Sequence, residues 1–283
     1  MSYVVYTIIS ALFLAMYDLF KKISVKDKKE IYEILFFYTL IAFLCSFIFF
    51  DKIFDLKSIN VFFILLKAIV ISLSWFFTMK AMSRLQLSIV VPFSLLGTIS
   101  TTILAFIFFD EKIGIAQIGG ILIILLGLFL LSRLCRKTEK NENDCKCLIL
   151  LTIAALLSSI SAIVDRHLLN DIDRGSVLFW FFFFLSVIYL FICLVRNKKI
   201  SFINLKSNLW VVGIGLSIFL SDLFYYMAVS KETATLSIIS IIRKLSVFIG
   251  VVLGAIFLKE DNLIKKLFIL ILMFMGLAFV IFI

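Results

Sequence analysis

Two charged side chains stand where the surrounding sequence carries almost none. Asp222 lies in the apolar run 208–229 and Arg243 in the run 234–258, each long enough to cross a bilayer. A charge at the bilayer centre costs about 2.5–3.5 kcal/mol on insertion scales, so each needs a partner or a task. At about 1.5 Å per helical residue both fall near mid-depth, where they can pair. Tyr225 and Tyr226 follow Asp222 by one helical turn and share its face, and Phe219 precedes it by one turn. A carboxylate beside aromatic rings suits an ammonium group, through charge pairing and a cation–π attraction of about 0.5–2 kcal/mol. Ser240 and Ser246 flank Arg243 and give it a small, polar face on which the guanidinium can take a carboxylate. Lys244, rotated by about 100°, is not expected to face the same pocket squarely. A permanent Asp222–Arg243 pair that only fixes two helices is the competing reading.

Other charges are fewer and lie nearer the ends of apolar runs. Lys67 is a buried-cation candidate in the run 59–79, and Trp75 of the same run is a candidate for the cavity wall. Asp18 and Asp165 each end a stripe of small residues, Ala11 and Ala15 in one case and Ser158 and Ala162 in the other. Such stripes suit close packing or a water path, so the two carboxylates are candidates for gating or proton coupling. Pairing with neighbouring Lys21, Lys22 or Arg166 at the interface is the alternative. Glu111 and Glu260 follow the runs 87–109 and 234–258 and are candidates for capping or gating at helix ends. His167, the single histidine, stands beside Asp165 and Arg166 and reads as solvated.

The elements that position these groups follow from composition. Of 283 residues, 63% are hydrophobic, 16% are charged and 33 are phenylalanine, with a mean hydropathy of +1.18; a water-soluble fold is excluded. One proline and 11 glycines exclude collagenous, linker-rich and β-barrel organisation. Apolar runs fall at 2–20, 31–50, 59–79, 87–109, 115–132, 148–169, 176–195, 208–229, 234–258 and 263–283, which predicts ten membrane-spanning helices. Tight turns are expected at 83–86, 110–114 and 230–233, and short loops imply antiparallel neighbours. The first run lacks a basic segment before it and a small-residue cleavage pattern after it, so it reads as a retained span. The net charge of +10 belongs to juxtamembrane loops and not to nucleic-acid binding. Five cysteines at irregular spacing form neither a disulfide framework nor a zinc site, and no metal or cofactor is implied.

Loops after odd-numbered spans carry the lysines and arginines: Lys21, Lys22, Lys26, Lys28 and Lys29 after the first, and Arg133, Arg136, Lys137, Lys140 and Lys146 at the centre. Even-numbered loops are sparse, so both termini are expected outside and the 133–147 loop in the cytoplasm. A shift of 147 places Asp18 on Asp165, Trp75 on Asp222, Ala81 on Ala228, Ser83 on Ser230 and Arg84 on Lys231. A shift of 149 places Glu111 on Glu260 and Gly127 on Gly276. The expected organisation is therefore a five-helix repeat over 1–132, a basic connecting loop over 133–147 and a second repeat over 148–283. An odd number of spans per repeat inverts the second copy, and inverted repeats with a midplane site between them recur in secondary transporters.

The stretch from Lys80-Ala81-Met82-Ser83-Arg84-Leu85-Gln86 to Pro92, followed by Phe108-Phe109-Asp110-Glu111-Lys112, Gln117-Ile118-Gly119-Gly120 and Gly127, resembles the repeat unit of the EamA family of the drug/metabolite transporter superfamily. Ala228-Val229-Ser230, Leu258-Lys259-Glu260-Asp261 and Gly276 resemble a second copy. Ile239 takes the place matching Pro92, so a broken helix is expected in the first copy alone. The resemblance implies a carrier of small metabolites, frequently an exporter, often coupled to protons or a counter-substrate. The Asp222, Tyr225, Tyr226 and Arg243 set favours an amine or amino-acid-like substrate. In that reading Asp222 takes the ammonium or the coupling proton, Arg243 holds a carboxylate or keeps Asp222 ionised, and the halves rock to expose the site alternately. Motifs of intramembrane proteases, serine hydrolases and zinc peptidases are missing, so no enzyme is expected; a channel, a receptor or a structural membrane protein is the alternative class. The expected partners are a small-molecule substrate and the lipid bilayer, with the chain acting as a monomer or homodimer. Lysine outnumbers arginine and isoleucine and phenylalanine abound, which suits an AT-rich bacterium and its inner membrane.

Overall fold

A computed structural model describes residues 3–26, 31–52, 58–109, 114–138, 142–196, 209–229, 236–260 and 262–282. Regular structure in these residues is helical throughout. The helices are α1 (Tyr3–Lys26), α2 (Ile31–Ser46), α3 (Ser58–Met82), α4 in two pieces (Leu87–Val90 and Ser94–Phe109), α5 (Ile115–Thr138), α6 (Glu142–Asp171), α7 (Arg174–Val195), α8 (Leu209–Val229), α9 (Leu236–Leu258) and α10 (Leu263–Phe282). Among the described residues, six stretches are long and apolar enough to cross a membrane: Tyr3–Val25, Ile31–Phe49, Asn60–Met82, Ile115–Leu134, Arg174–Val195 and Leu209–Ala228. Leu87–Ser100 and Lys146–Ser161 are shorter apolar stretches.

Several boundaries differ from the hydropathy reading. Helix α1 continues past Phe20 through Lys21 and Lys22 to Lys26. It does so because Lys22 Nζ donates to the carbonyls of Met82 and Leu85, both at 2.5 Å, at the C-terminal end of α3, where the helix dipole favours a cation. The basic 133–147 segment, expected as a loop, is largely helical: Arg133, Arg136 and Lys137 end α5 and Lys146 belongs to α6. The turn after α3 falls where expected, with Leu85 N–H donating to Ala81 O at 2.9 Å. Residues 110–113 and 230–235, which hold the other two expected turns, lie outside the described residues.

Proline explains the break in α4. Pro92 sits in a one-turn 3-10 segment, Val91–Phe93, between the two pieces. Its ring removes a donor and crowds the preceding turn. Ile239, at the matching place, lies inside unbroken α9.

The packing has two-fold character in which helices are paired. Helix α1 packs on α8 and α9, as α6 packs on α3 and α4; α2 meets α8 as α7 meets α3; and α2–α7, α4–α9 and α5–α10 are pairs of matched helices. Hydrogen bonds repeat the relation. Ser221 Oγ donates to Ser10 O at 3.1 Å across α8–α1, and Ser74, at its place in the first half, donates to Ala154 O at 2.8 Å across α3–α6. One core cluster, rich in Phe and Tyr, joins α2, α3, α7 and α8. A second joins α4, α5, α9 and α10. In the second, glycines set the approach: a Cβ on Gly276 would lie 2.7 Å from Gly120 O, and one on Gly127 would overlap Met273. The Gly250 and Gly254 pair is likewise a packing surface, with Val91 and Leu87 of α4 against it. Of the candidate side chains, Tyr226 belongs to the first cluster, with Trp75 and Tyr225 packed against it.

Candidate functional site

Asp222 and Arg243 meet across α8 and α9, with Arg243 Nη2 donating to Asp222 Oδ1 at 2.6 Å. Neither helix could hold its charge alone; the pairing is what makes mid-run placement tolerable. The guanidinium also lies 4.1 Å from the centre of the Tyr225 ring, one turn along α8, so the ring fixes its plane. Tyr225 stacks obliquely on Tyr226, whose ring is buried and whose carbonyl accepts from Arg174 Nη1 at 3.0 Å. Among the described residues, Arg243 Nε is the buried side-chain nitrogen or oxygen that lacks a hydrogen-bond partner.

A cavity of about 350 Å³ opens beside this pair. Its wall comes from five helices: Leu14 of α1; Ser94, Gly97 and Thr98 of α4; Ala155, Ser158 and Ser159 of α6; Tyr225 of α8; and Arg243 and Lys244 of α9. The small residues make the space. Ser158 Oγ donates to Ala154 O and Ser159 Oγ to Ala155 O, both at 2.9 Å, so the serines lie against their own helix, and Ser159 Oγ also donates across to Gly97 O of α4 at 2.9 Å. A second space of about 90 Å³ shares Ser94, Ala155 and Ser158 with the first and reaches Asp18 and Thr78. Asp222 is not among the residues lining either space; it stands behind Arg243.

A second ion pair crosses α3 and α6, where Lys67 Nζ donates to Asp165 Oδ1 at 2.5 Å and lies 4.0 Å from the centre of the Phe181 ring. Trp75 is not on a cavity wall as expected. It is packed among Tyr17, Tyr38 and Phe181 at 5.5–6.3 Å between ring centres, because α2 and α7 bring aromatic side chains to that corner. Lys67 likewise points into protein and not into the cavity.

The remaining candidates sit toward helix ends. Asp18 pairs with Lys21 of its own helix at 3.0 Å while reaching the smaller space. Glu260 closes the junction between halves: its carboxylate accepts from Leu87 N–H at 2.6 Å and from Ser88 N–H at 3.0 Å, capping the start of α4. It also accepts from the Ser88 hydroxyl, and Lys266 stands 3.8 Å away while donating to Ser88 Oγ at 2.6 Å and to Gln86 Oε1. Lys259 and Asn262, both in the left-handed region at φ 52° and 58°, shape the turn that aims Glu260 at α4. Glu111 lies outside the described residues, as does the side chain of His167.

With this geometry in view, the match of the EamA-like transporter family model to residues 1–133 and again to 146–282 covers nearly the whole chain. The chain belongs to the EamA-like transporter family. Comparison with individually curated proteins returns no match. In this EamA protein the cavity lies where α1 and α4 of the first matched segment meet α6, α8 and α9 of the second. Sequence reasoning placed Lys244 off the pocket, yet Lys244 and Arg243 line it together. A cavity wedged between helices subtends a wide arc of α9, and the lysine stem swings its ammonium round to within 3.3 Å of Ser94 O. Ser94 and Ser159 carried no sequence signal beyond their size. Lys22, Ser88 and Lys266 tie the helix ends together; from sequence Lys22 reads as a loop charge, while Ser88 and Lys266 stand just inside the runs 87–109 and 263–283.

Proposed function

We propose that this chain is a secondary transporter of a small, amino-acid-like metabolite, built from ten membrane-crossing helices in two inverted five-helix repeats and working by alternating access. The observation that carries the reading is the cavity between the two matched segments, with a guanidinium, an ammonium and hydroxyls in an otherwise apolar wall. A pocket with a few convergent polar groups inside apolar surroundings is the form a small-ligand site takes. The exchange of matched helix pairs between halves supports the inverted arrangement, since such a molecule has two nearly equivalent ways to pack. Glu260, Lys266 and Lys22 tie the helix ends on the 83–88 side, which in this reading is the closed, cytoplasmic side. Opening that side would break the Glu260 cap on α4. The family favours export, the basic segments favour a bacterial inner membrane with both termini outside, and no catalytic step is involved.

The test is uptake of radiolabelled amino acids into proteoliposomes, paired with thermal stabilisation of the purified protein. A bound substrate at 100 times its Kd should add about 2.7 kcal/mol to stability, and uptake should saturate with concentration. Uptake that rises linearly without saturation, with no ligand-dependent stabilisation across amino acids, amines, sugars and nucleosides, would remove the transporter reading.

A further inference from the structure

We propose that the cavity is a carboxylate site, in which Arg243 and Lys244 grip the anionic group of the solute and Asp222 competes with that group for Arg243. The proposal deepens the transporter reading and rests on it. It selects one of the readings the sequence left open, a carboxylate held by Arg243, over an ammonium group held by Asp222.

The charge of the wall decides the matter. Two cations, Arg243 and Lys244, line the cavity, and no aspartate or glutamate does so among the described residues. An ammonium solute would meet two like charges in a medium of low dielectric, while a carboxylate would meet two opposite ones. The neighbouring carboxylates are already committed. Asp165 is held by Lys67, Asp18 by Lys21 and Asp222 by Arg243. Among the described residues, Lys244 makes one hydrogen bond, to the Ser94 carbonyl at 3.3 Å, and no salt bridge. The cavity wall therefore holds one positive charge that lacks a salt-bridge counter-ion among the described residues. An anion in the cavity supplies it.

Arg243 is built for exchange. A guanidinium presents a planar fork that prefers two parallel bonds to a carboxylate. Here Asp222 takes one nitrogen, Nη2, and Nε has no partner. The Tyr225 ring holds the guanidinium plane from below and also faces the cavity, so the fork can turn from Asp222 to a solute without losing its support. Ser94, Thr98 and Tyr225 add hydroxyls around the same space, and about 350 Å³ admits a solute of amino-acid size.

The experiment uses the purified full-length protein and three matched solute sets, each an amino acid, its 2-hydroxy acid and its amine: alanine, lactate and ethylamine; leucine, 2-hydroxyisocaproate and isoamylamine; phenylalanine, phenyllactate and phenethylamine. Ligand-dependent thermal shifts give apparent Kd values for the parent protein and for Arg243→Gln, Arg243→Lys, Lys244→Gln and Asp222→Asn. We expect both acids of at least one set to bind and its amine not to. Arg243→Gln and Lys244→Gln should each raise Kd at least tenfold, Arg243→Lys should fall between them and the parent, and Asp222→Asn should lower Kd severalfold by releasing the guanidinium. If Arg243→Gln does not fold, Arg243→Lys and Lys244→Gln carry the comparison. Amines that bind without a carboxylate, or acid binding that weakens tenfold in Asp222→Asn, overturn the proposal and leave a transporter standing. No binding by any of the nine solutes, together with no saturable uptake, removes both.

Discussion

The two halves of this chain share a backbone plan and differ in what they bury at matched places. Asp18 and Asp165 are related by the repeat, yet Asp18 pairs with Lys21 on its own helix and Asp165 reaches across to Lys67 of the other half. Trp75 and Asp222 are likewise related, yet Trp75 is locked among aromatic rings while Asp222 holds an arginine on a cavity wall. The first half contributes three rings of an aromatic corner that Phe181 of the second half completes, and the second half contributes Arg243 with its carboxylate partner. The lesson is that repeat symmetry fixes where helices run, whereas the function of a site depends on where side chains violate that symmetry.

The strongest way to break this comparison is to disarm Asp165. Lys67 is almost fully buried, lies about nine residues into α3 and has no short route to an interface. In Asp165→Asn its ammonium keeps only the Phe181 ring face and a neutral amide. The expected loss is about 1.5–3 kcal/mol, the range for a hydrogen bond to a charged group, below that of a fully buried pair because the Asp165 side chain is 29% exposed. Melting of the purified protein measures it, and the double change Lys67→Met with Asp165→Leu should recover most of the loss. If Asp165→Asn melts like the parent, the pair is not the lock between halves that its geometry indicates.

A smaller effect sharpens the part of the comparison where the halves are alike. Gly276 of α10 approaches the Gly120 carbonyl of α5 so closely that a Cβ would lie 2.7 Å from it, and the blocking atom is backbone. Gly276→Ala should therefore cost about 1–3 kcal/mol by overpacking. Gly119→Ala, with open space around the added carbon, should gain a few tenths through helix propensity, about 0.5–1 kcal/mol at most. Equal effects of the two changes would mean that α5 and α10 separate freely.

Much of this was legible in the sequence. The apolar runs coincide with helices among the described residues, and Pro92 marks the break in α4, because length, hydropathy and a missing N–H act locally. Asp222 and Arg243 are legible as a pair because opposite charges fall near mid-depth of adjacent apolar runs. Lys67 and Asp165 were not, since they are 98 residues apart and helical periodicity says nothing about partners on separate elements. Trp75 was assigned by symmetry to a wall it does not line, because a repeat shift aligns backbones and not the neighbours that claim a ring. Lys244 was set aside on an angle of about 100° that describes an isolated helix. In the bundle, the cavity wraps around α9 and a flexible stem closes the difference. The extension of α1 was hidden for a similar reason: Lys22 reads as a loop charge until the end of α3 appears beside it.

The finest test of the comparison is the matched change at the other carboxylate. Asp18→Asn also leaves a lysine behind, since Lys21 is buried and lies 4.0 Å from the centre of the Tyr17 ring. Lys21, however, belongs to the charged end of α1, within about two turns of its last residue. Its four-carbon stem can carry the ammonium to the interface, as lysines near helix ends do. The expected cost is therefore about 0.5–1 kcal/mol, close to that of an ordinary interfacial pair and several-fold below that of Asp165→Asn. Melting both variants side by side decides between local and cross-half pairing. A loss for Asp18→Asn as large as that for Asp165→Asn would mean that the smaller space beside Asp18 bears on the fold, and that the two halves are more alike in chemistry than their ion pairs indicate.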